Sequence, residues 1–210
     1  MVKSWMITSF EFRAIRSFFN HLSEDVIREF EAIEQRAESG EIKRYEDLES
    51  AQDYPFMRYQ IGMRAVMHEL NSLIETEVYE AAYVPWKKSN KYKGPKSIND
   101  LGEFKLKSMS KIRMVNDINF VEAIELIEKY YVIKFNNVEC WKDVQEIRSY
   151  VNAFKHRKGR KHFREIDWEK DGLHFPQQYE LDKNKIISSI TNSEVFLRSF
   201  DSKIKATRKN

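Results

Sequence analysis

Asn137-Val138-Glu139-Cys140-Trp141-Lys142-Asp143-Val144-Gln145-Glu146-Ile147-Arg148-Ser149-Tyr150-Val151-Asn152-Ala153-Phe154-Lys155-His156-Arg157-Lys158-Gly159 is the stretch on which the fold is read. Trp141, Val144, Ile147, Val151 and Phe154 recur at steps of three and four. At about 100° per residue they share one face of a helix. Arg148, Asn152 and His156 recur at steps of four and form a second stripe, turned away from the apolar one. Gly159 follows as a stop signal of the kind that closes helices in a left-handed conformation. A helix with Arg, Asn and His in one line, ending in the basic residues Lys155, Arg157 and Lys158, is the part of the chain with chemistry in it.

Working outward, composition supports more helices of this kind. The chain has 210 residues, 41% of them hydrophobic, enough for one cored domain. Gly (6) and Pro (4) are few and β-branched runs are scarce, which favours helices over a sandwich or barrel. The 36 basic and 33 acidic residues nearly cancel, so distribution matters more than the net +3. Basic residues crowd 87–96, 105–113, 155–164 and 203–209, and acidic residues crowd 24–49. A basic side fits a polyanion partner, and it equally fits a solvated surface. The single cysteine, Cys140, forms no internal disulfide and belongs to no zinc spacing, so neither a metal nor a cofactor is expected. Glu11, Arg13 and Arg16 interrupt the N-terminal apolar residues, and no window approaches the roughly 18 apolar residues of a membrane span. A soluble, cytoplasmic protein is the expectation.

In chain order, a long amphipathic helix is expected over about 7–38, with Phe10, Ile15, Phe18, Phe19, Leu22, Val26, Phe30 and Ile33 inward and Gly40 at its end. Ser23-Glu24-Asp25 offers a break with a fresh cap. Residues 41–54 read as an acidic loop, with Pro55 opening the second helix at a first-turn position. That helix runs to about Tyr83 through Tyr59, Met63, Val66, Met67, Leu70, Leu73, Ile74, Val78 and Ala81, and Pro85 stops it. His21 reads as a surface or core histidine. His68 and Glu69 point apart on a helix and make no ligand pair. A long loop is expected over about 84–116, where Trp86, Tyr92 and Phe104 among lysines either contact nucleic acid or staple the loop to the core. A short helix follows over 117–131, capped by Asp117 or Asn119. The brief connection 134–137 suggests that it pairs antiparallel with the helix of 141–157. A basic segment spans about 160–185, with short strands conceivable around Asp167-Trp168-Glu169 and Leu173-His174-Phe175. A last helix covers 186–205, capped near Thr191–Ser193, with Val195, Phe196 and Phe200 inward.

The stretch Trp141–Gly159, in this order of helices, resembles the HEPN superfamily. In many members the corresponding helix reads as an aromatic, a run ending in Arg-Asn with His four residues on, and then Gly. Asn152, His156 and Gly159 match that pattern; the arginine position is Val151, and the nearest upstream arginine is Arg148. The motif is therefore a degenerate form. The resemblance implies an all-α, antiparallel bundle of about five helices with long loops, spanning 1–210 as one domain. It also implies a homodimer in which motif helices meet, and in some members metal-independent endoribonuclease activity serving toxin–antitoxin or phage-defence systems.

Under that reading His156 is the general acid/base, Asn152 orients it from one turn away, and Arg148 stabilises phosphate charge. Lys155, Arg157 and Lys158 attract the RNA backbone. The alternative is a non-catalytic dimeric HEPN-like module that binds RNA, a nucleotide, or a partner protein such as a cognate antitoxin. The two part on Arg148: in the enzyme it, or an arginine of the basic loops, points at His156 in a cleft, whereas in a binding module it is tied to Glu146 or Asp143 on a solvated face.

Overall fold

A computed structural model describes residues 5–89, 114, 117–157 and 181–207. Among these the chain is all helical: α1 (Trp5–Glu38), α2 (Tyr45–Lys88), α3 (Phe120–Tyr131), a 3-10 turn (Phe135–Asn137), α4 (Trp141–Arg157) and α5 (Lys183–Thr207). The all-α bundle expected from the sequence is the observed architecture. The regions 90–113 and 158–180, including the aromatics Tyr92 and Phe104 and the segments around Trp168 and His174, lie outside the described residues.

The organising element is α2 rather than α4. From Met63 to Trp86 it buries Met63, Val66, Met67, Leu70, Leu73, Ile74, Val78, Ala81, Ala82 and Trp86. Such a helix is apolar around most of its circumference, so it can take neighbours on several sides. It packs on α1, α3, α4 and α5. α1 runs antiparallel to it: Glu29 pairs with Arg58, Phe19 stacks on Tyr59, and Ala14 and Phe18 stand beside Ala65 and Val66.

α3 and α4 do not form the antiparallel pair suggested by their short connection. They divide the length of α2 between them. Phe120, the first residue of α3, meets Tyr79, and Tyr130 near its end meets Lys88. α4 runs the other way, from Arg148 at Glu75 to Phe154 at Arg64. Their two N-termini meet where Phe120 stacks on Trp141 with ring centroids 6.5 Å apart. α5 closes the bundle antiparallel to α4, through Lys185–Glu146, Asn192–Asp143 and Phe196–Trp141.

Several expected boundaries shift for local physical reasons. α1 is uninterrupted at Ser23, whose hydroxyl donates back to the Phe19 carbonyl inside the helix instead of capping a new one. Gly40 does end the helix region, at φ +79° with its amide bonded to Ala37. α2 starts ten residues before Pro55, and both Pro55 and Pro85 lie buried inside it. At Pro85, tertiary burial of the surrounding turn overrides a proline that would stop an isolated helix. Trp86, fully buried, belongs to the core. Asn119 caps α3 in a reciprocal box with Glu122. α5 begins at Lys183, where Asp182 accepts a 2.7 Å bond from the Lys185 amide, so its cap is not at Thr191–Ser193.

Candidate nucleic-acid interface

The apolar face of α4 is buried as its spacing predicts: Trp141, Val144, Ile147 and Val151 are in the core, joined by Tyr150 and Ala153. Val151, at the position of the family's arginine, is fully buried and carries no side chain that reaches a substrate. The second stripe divides into two environments. Its Arg148 end faces α2, whereas Asn152, and Lys155 beside the stripe, are exposed. The side chains of His156 and Arg157, and Lys158 altogether, lie outside the described residues.

Arg148 is held on three sides. Its Nη1 donates to Glu75 Oε1 at 2.5 Å and to Asn71 Oδ1 at 3.4 Å, and its guanidinium carbon lies 3.4 Å from the centroid of the Phe120 ring. The side chain keeps 19% of its surface in contact with solvent. A planar cation satisfies all three contacts at once, two in the plane and one on its face. Three helices, α2, α3 and α4, meet on this one side chain. The neighbouring Tyr79 hydroxyl is pushed to higher pKa, first by burial and then by the Glu75 charge, while Arg148 pulls it the other way.

α2 supplies a stripe that answers the one on α4. Arg64, His68, Asn71 and Glu75 fall at steps of four, three and four, the repeat of one helix face. Glu75 and Asn71 take Arg148. Arg64, whose Nε donates to the Gln60 carbonyl, lies over the Phe154 ring at 5.2 Å. His68 is half-buried and held below the ordinary imidazole range, first by burial and then by the Lys155 ammonium. Arg64, His68 and Lys155 thus gather at the end of α4 that carries His156, while Arg148 sits about two turns back along the helix. Burial beside Phe154 pushes the Tyr150 hydroxyl above its usual value, so it stays protonated and neutral.

The sequence reading singled out α4 and missed its partner stripe. His68 was weighed only against its neighbour Glu69, but its spatial neighbours come from α4. The signal was present: a polar stripe, including Asn71 at 4% exposure, runs through an otherwise apolar helix. His21 is a surface histidine whose Nδ1 lies 2.6 Å from the Ser17 carbonyl. Cys140 is half-buried, and burial with Asp143 and Glu139 raises its thiol pKa, which keeps it unreactive. Among the described residues no three His, Cys, Asp or Glu side chains gather as a metal site, and no helix is long and apolar enough to cross a membrane.

No protein-family model matches the chain, and neither a curated protein nor a solved structure matches it.

Proposed function

We propose that this chain is a HEPN-like helical module that binds RNA through the cationic end of the α2–α4 seam. The observation that carries the reading is the division of the cations along that seam. Arg148 is neutralised by Glu75 and lies flat on Phe120, so it offers a phosphate little. Among the described residues no ion pair engages Arg64 or Lys155, and together with the exposed amide of Asn152 they present donors in one place. Phosphate contacts of this kind supply affinity in proportion to the counterions released.

A second reading keeps the endoribonuclease that the resemblance implies, working as a homodimer in toxin–antitoxin or phage defence. It is favoured by one observation: Arg64 lies over the Phe154 ring, so α2 supplies an arginine to the end of α4 in whose last turn His156 stands, even though Arg148 is engaged. In that reading His156 exchanges the proton of the attacking 2′-hydroxyl and of the leaving 5′-oxygen, with Arg64 in the phosphate-stabilising role that the motif gives to Arg148.

The test is an anisotropy titration of a short labelled RNA in EDTA, with gel analysis of the same samples. Binding by the wild type, with the salt slope falling by about 0.7 for each of Arg64→Ala and Lys155→Ala, supports the RNA-binding reading. Unchanged affinity in the Arg64→Ala/Lys155→Ala double variant overturns it. Cleavage by the wild type that vanishes in a folded His156→Ala protein moves the assignment to the second reading.

A further inference from the structure

Two phenylalanines of α1 read as core residues are on the surface: Phe10 is 55% exposed and Phe18 51%. Beside Phe18, α1 and α2 leave an open cavity of about 350 Å³ lined by Glu11, Ala14, Ile15, Phe18, Ala65, Val66 and Glu69. On α2, before the cavity, Ile61, Met57 and Tyr54 are 56%, 60% and 70% exposed. These three are spaced i, i+3, i+7, and Ile61 stands one turn before Ala65 at the edge of the cavity, so exposed apolar residues of α2 form a track that leads up to it. From Tyr54 to Glu69 the track is about 22 Å long, the length of a four-turn helix.

Its surroundings are acidic. Glu11 and Glu69 stand at the cavity, and across 24–58, the α1–α2 end of the molecule, acidic residues clearly outnumber basic ones. One of the few basic residues there, Arg58, is already paired with Glu29 at 2.9 Å, and Arg28 is paired with Asp25. Among the described residues, the bonds and ring contacts of α3 and α4 with α2 fall between Arg64 and Lys88, and α5 reaches α1 at Arg16. Phe18, Ile61, Met57 and Tyr54 stay exposed beside them. An RNA strand is repelled by this charge, while a cationic apolar surface is drawn to it.

We propose that the α1–α2 groove is a docking site for a cationic amphipathic helix of another protein. Its apolar residues, at i, i+3, i+4 and i+7, lie between Phe18 and Ile61, and its lysines or arginines face the acidic rim. The site borders the RNA-binding end, since Met57 and Ile61 stand seven and three residues before Arg64 on α2.

The experiment uses the full chain and three labelled synthetic peptides. One is a Lys/Leu amphipathic helix, one has its lysines replaced by glutamates, and one keeps the lysines but carries serine on the apolar face. The Lys/Leu peptide binds about tenfold tighter than either control, and Met57→Ser/Ile61→Ser removes that preference while Lys155→Ala leaves it unchanged. Both substituted residues are exposed, so circular dichroism identical to wild type confirms that the variant is folded. Equal binding of the three peptides overturns the proposal, as does an undiminished preference in the double variant. A concentration-dependent dimer in sedimentation that Ile61→Ser abolishes also overturns it, because a second copy then fills the groove.

Discussion

Arg148 shows at the scale of one residue how a motif position is committed to structure. Its ion pair with Glu75, its bond to the nearly buried Asn71 and its contact with Phe120 join three helices. Arg148→Ala leaves Asn71 and Glu75 short of a donor inside the seam, and a loss of about 2–3 kcal/mol is expected in urea unfolding. Arg148→Lys recovers less than half of this, because a single ammonium cannot both reach two acceptors and stack on a ring. A loss of RNA binding with no loss of stability in Arg148→Ala would contradict this structural role. His68 makes a prediction with pH. Its folded pKa is below the ordinary 6.5, so the unfolded chain takes up the proton first. The stability it supports is whole above pH 6.5 and falls as pH drops through that value and on to the lower folded pKa. His68→Gln is expected to flatten that part of the stability profile, as read by thermal melts across the same pH range.

At the scale of elements, α2 and its connections explain why boundaries were harder to read than faces. The 44 residues of α2 span about 66 Å and contain two prolines, each of which removes a hydrogen bond. At Pro85 the helix continues because Ala81, Ala82 and Trp86 around it are buried in the core, a context absent from any local pattern, whereas Pro55 is itself buried between exposed Tyr54 and Met57. The connection between α3 and α4 carries a correctable cost. Val132 ends α3 at φ 53° and is 88% exposed, so it holds a left-handed conformation without packing in return. Val132→Gly is expected to raise stability by about 1 kcal/mol, measured by the shift of the denaturation midpoint. Asn119→Ala, which breaks the capping box, is expected to lower it by about 1 kcal/mol. Gly62 sets the approach of α1 to α2, since a Cβ there falls 2.0 Å from the Leu22 side-chain end. Gly62→Ala therefore displaces Leu22, and the combination with Leu22→Ala should be better tolerated than the separate effects sum to, a coupling that a double-mutant cycle reads directly.

Taken together, the described residues form a five-helix bundle with one lopsided extension. The contiguous core takes Phe12, Ile15 and Phe19 from α1 and begins at Met63 on α2, whereas Val26 and Ile33 are buried apart from it. The α1–α2 hairpin beyond that core has fewer partners, so its amides should exchange faster than those of 63–82 in native-state hydrogen exchange; equal protection would mean the two regions open as one unit. Faces were legible in the sequence because burial follows the 3.6-residue period: Met63, Met67, Leu70 and Ile74 on α2, and Trp141, Val144, Ile147 and Val151 on α4, were read inward and are inward. Phe10 and Phe18 were not, since an apolar side chain at a core-compatible spacing is indistinguishable from one on a docking surface until the neighbouring helix is in place. Composition and periodicity by themselves determined an all-helical bundle and the line of Arg148, Asn152 and His156 on one helix. Only the tertiary structure decided that α2 is the hub, that Glu75 takes Arg148, and that Arg64 and His68 join Lys155. Those pairings depend on which helices meet and at what height, and such contacts between residues far apart in sequence leave no trace in the local pattern of either partner.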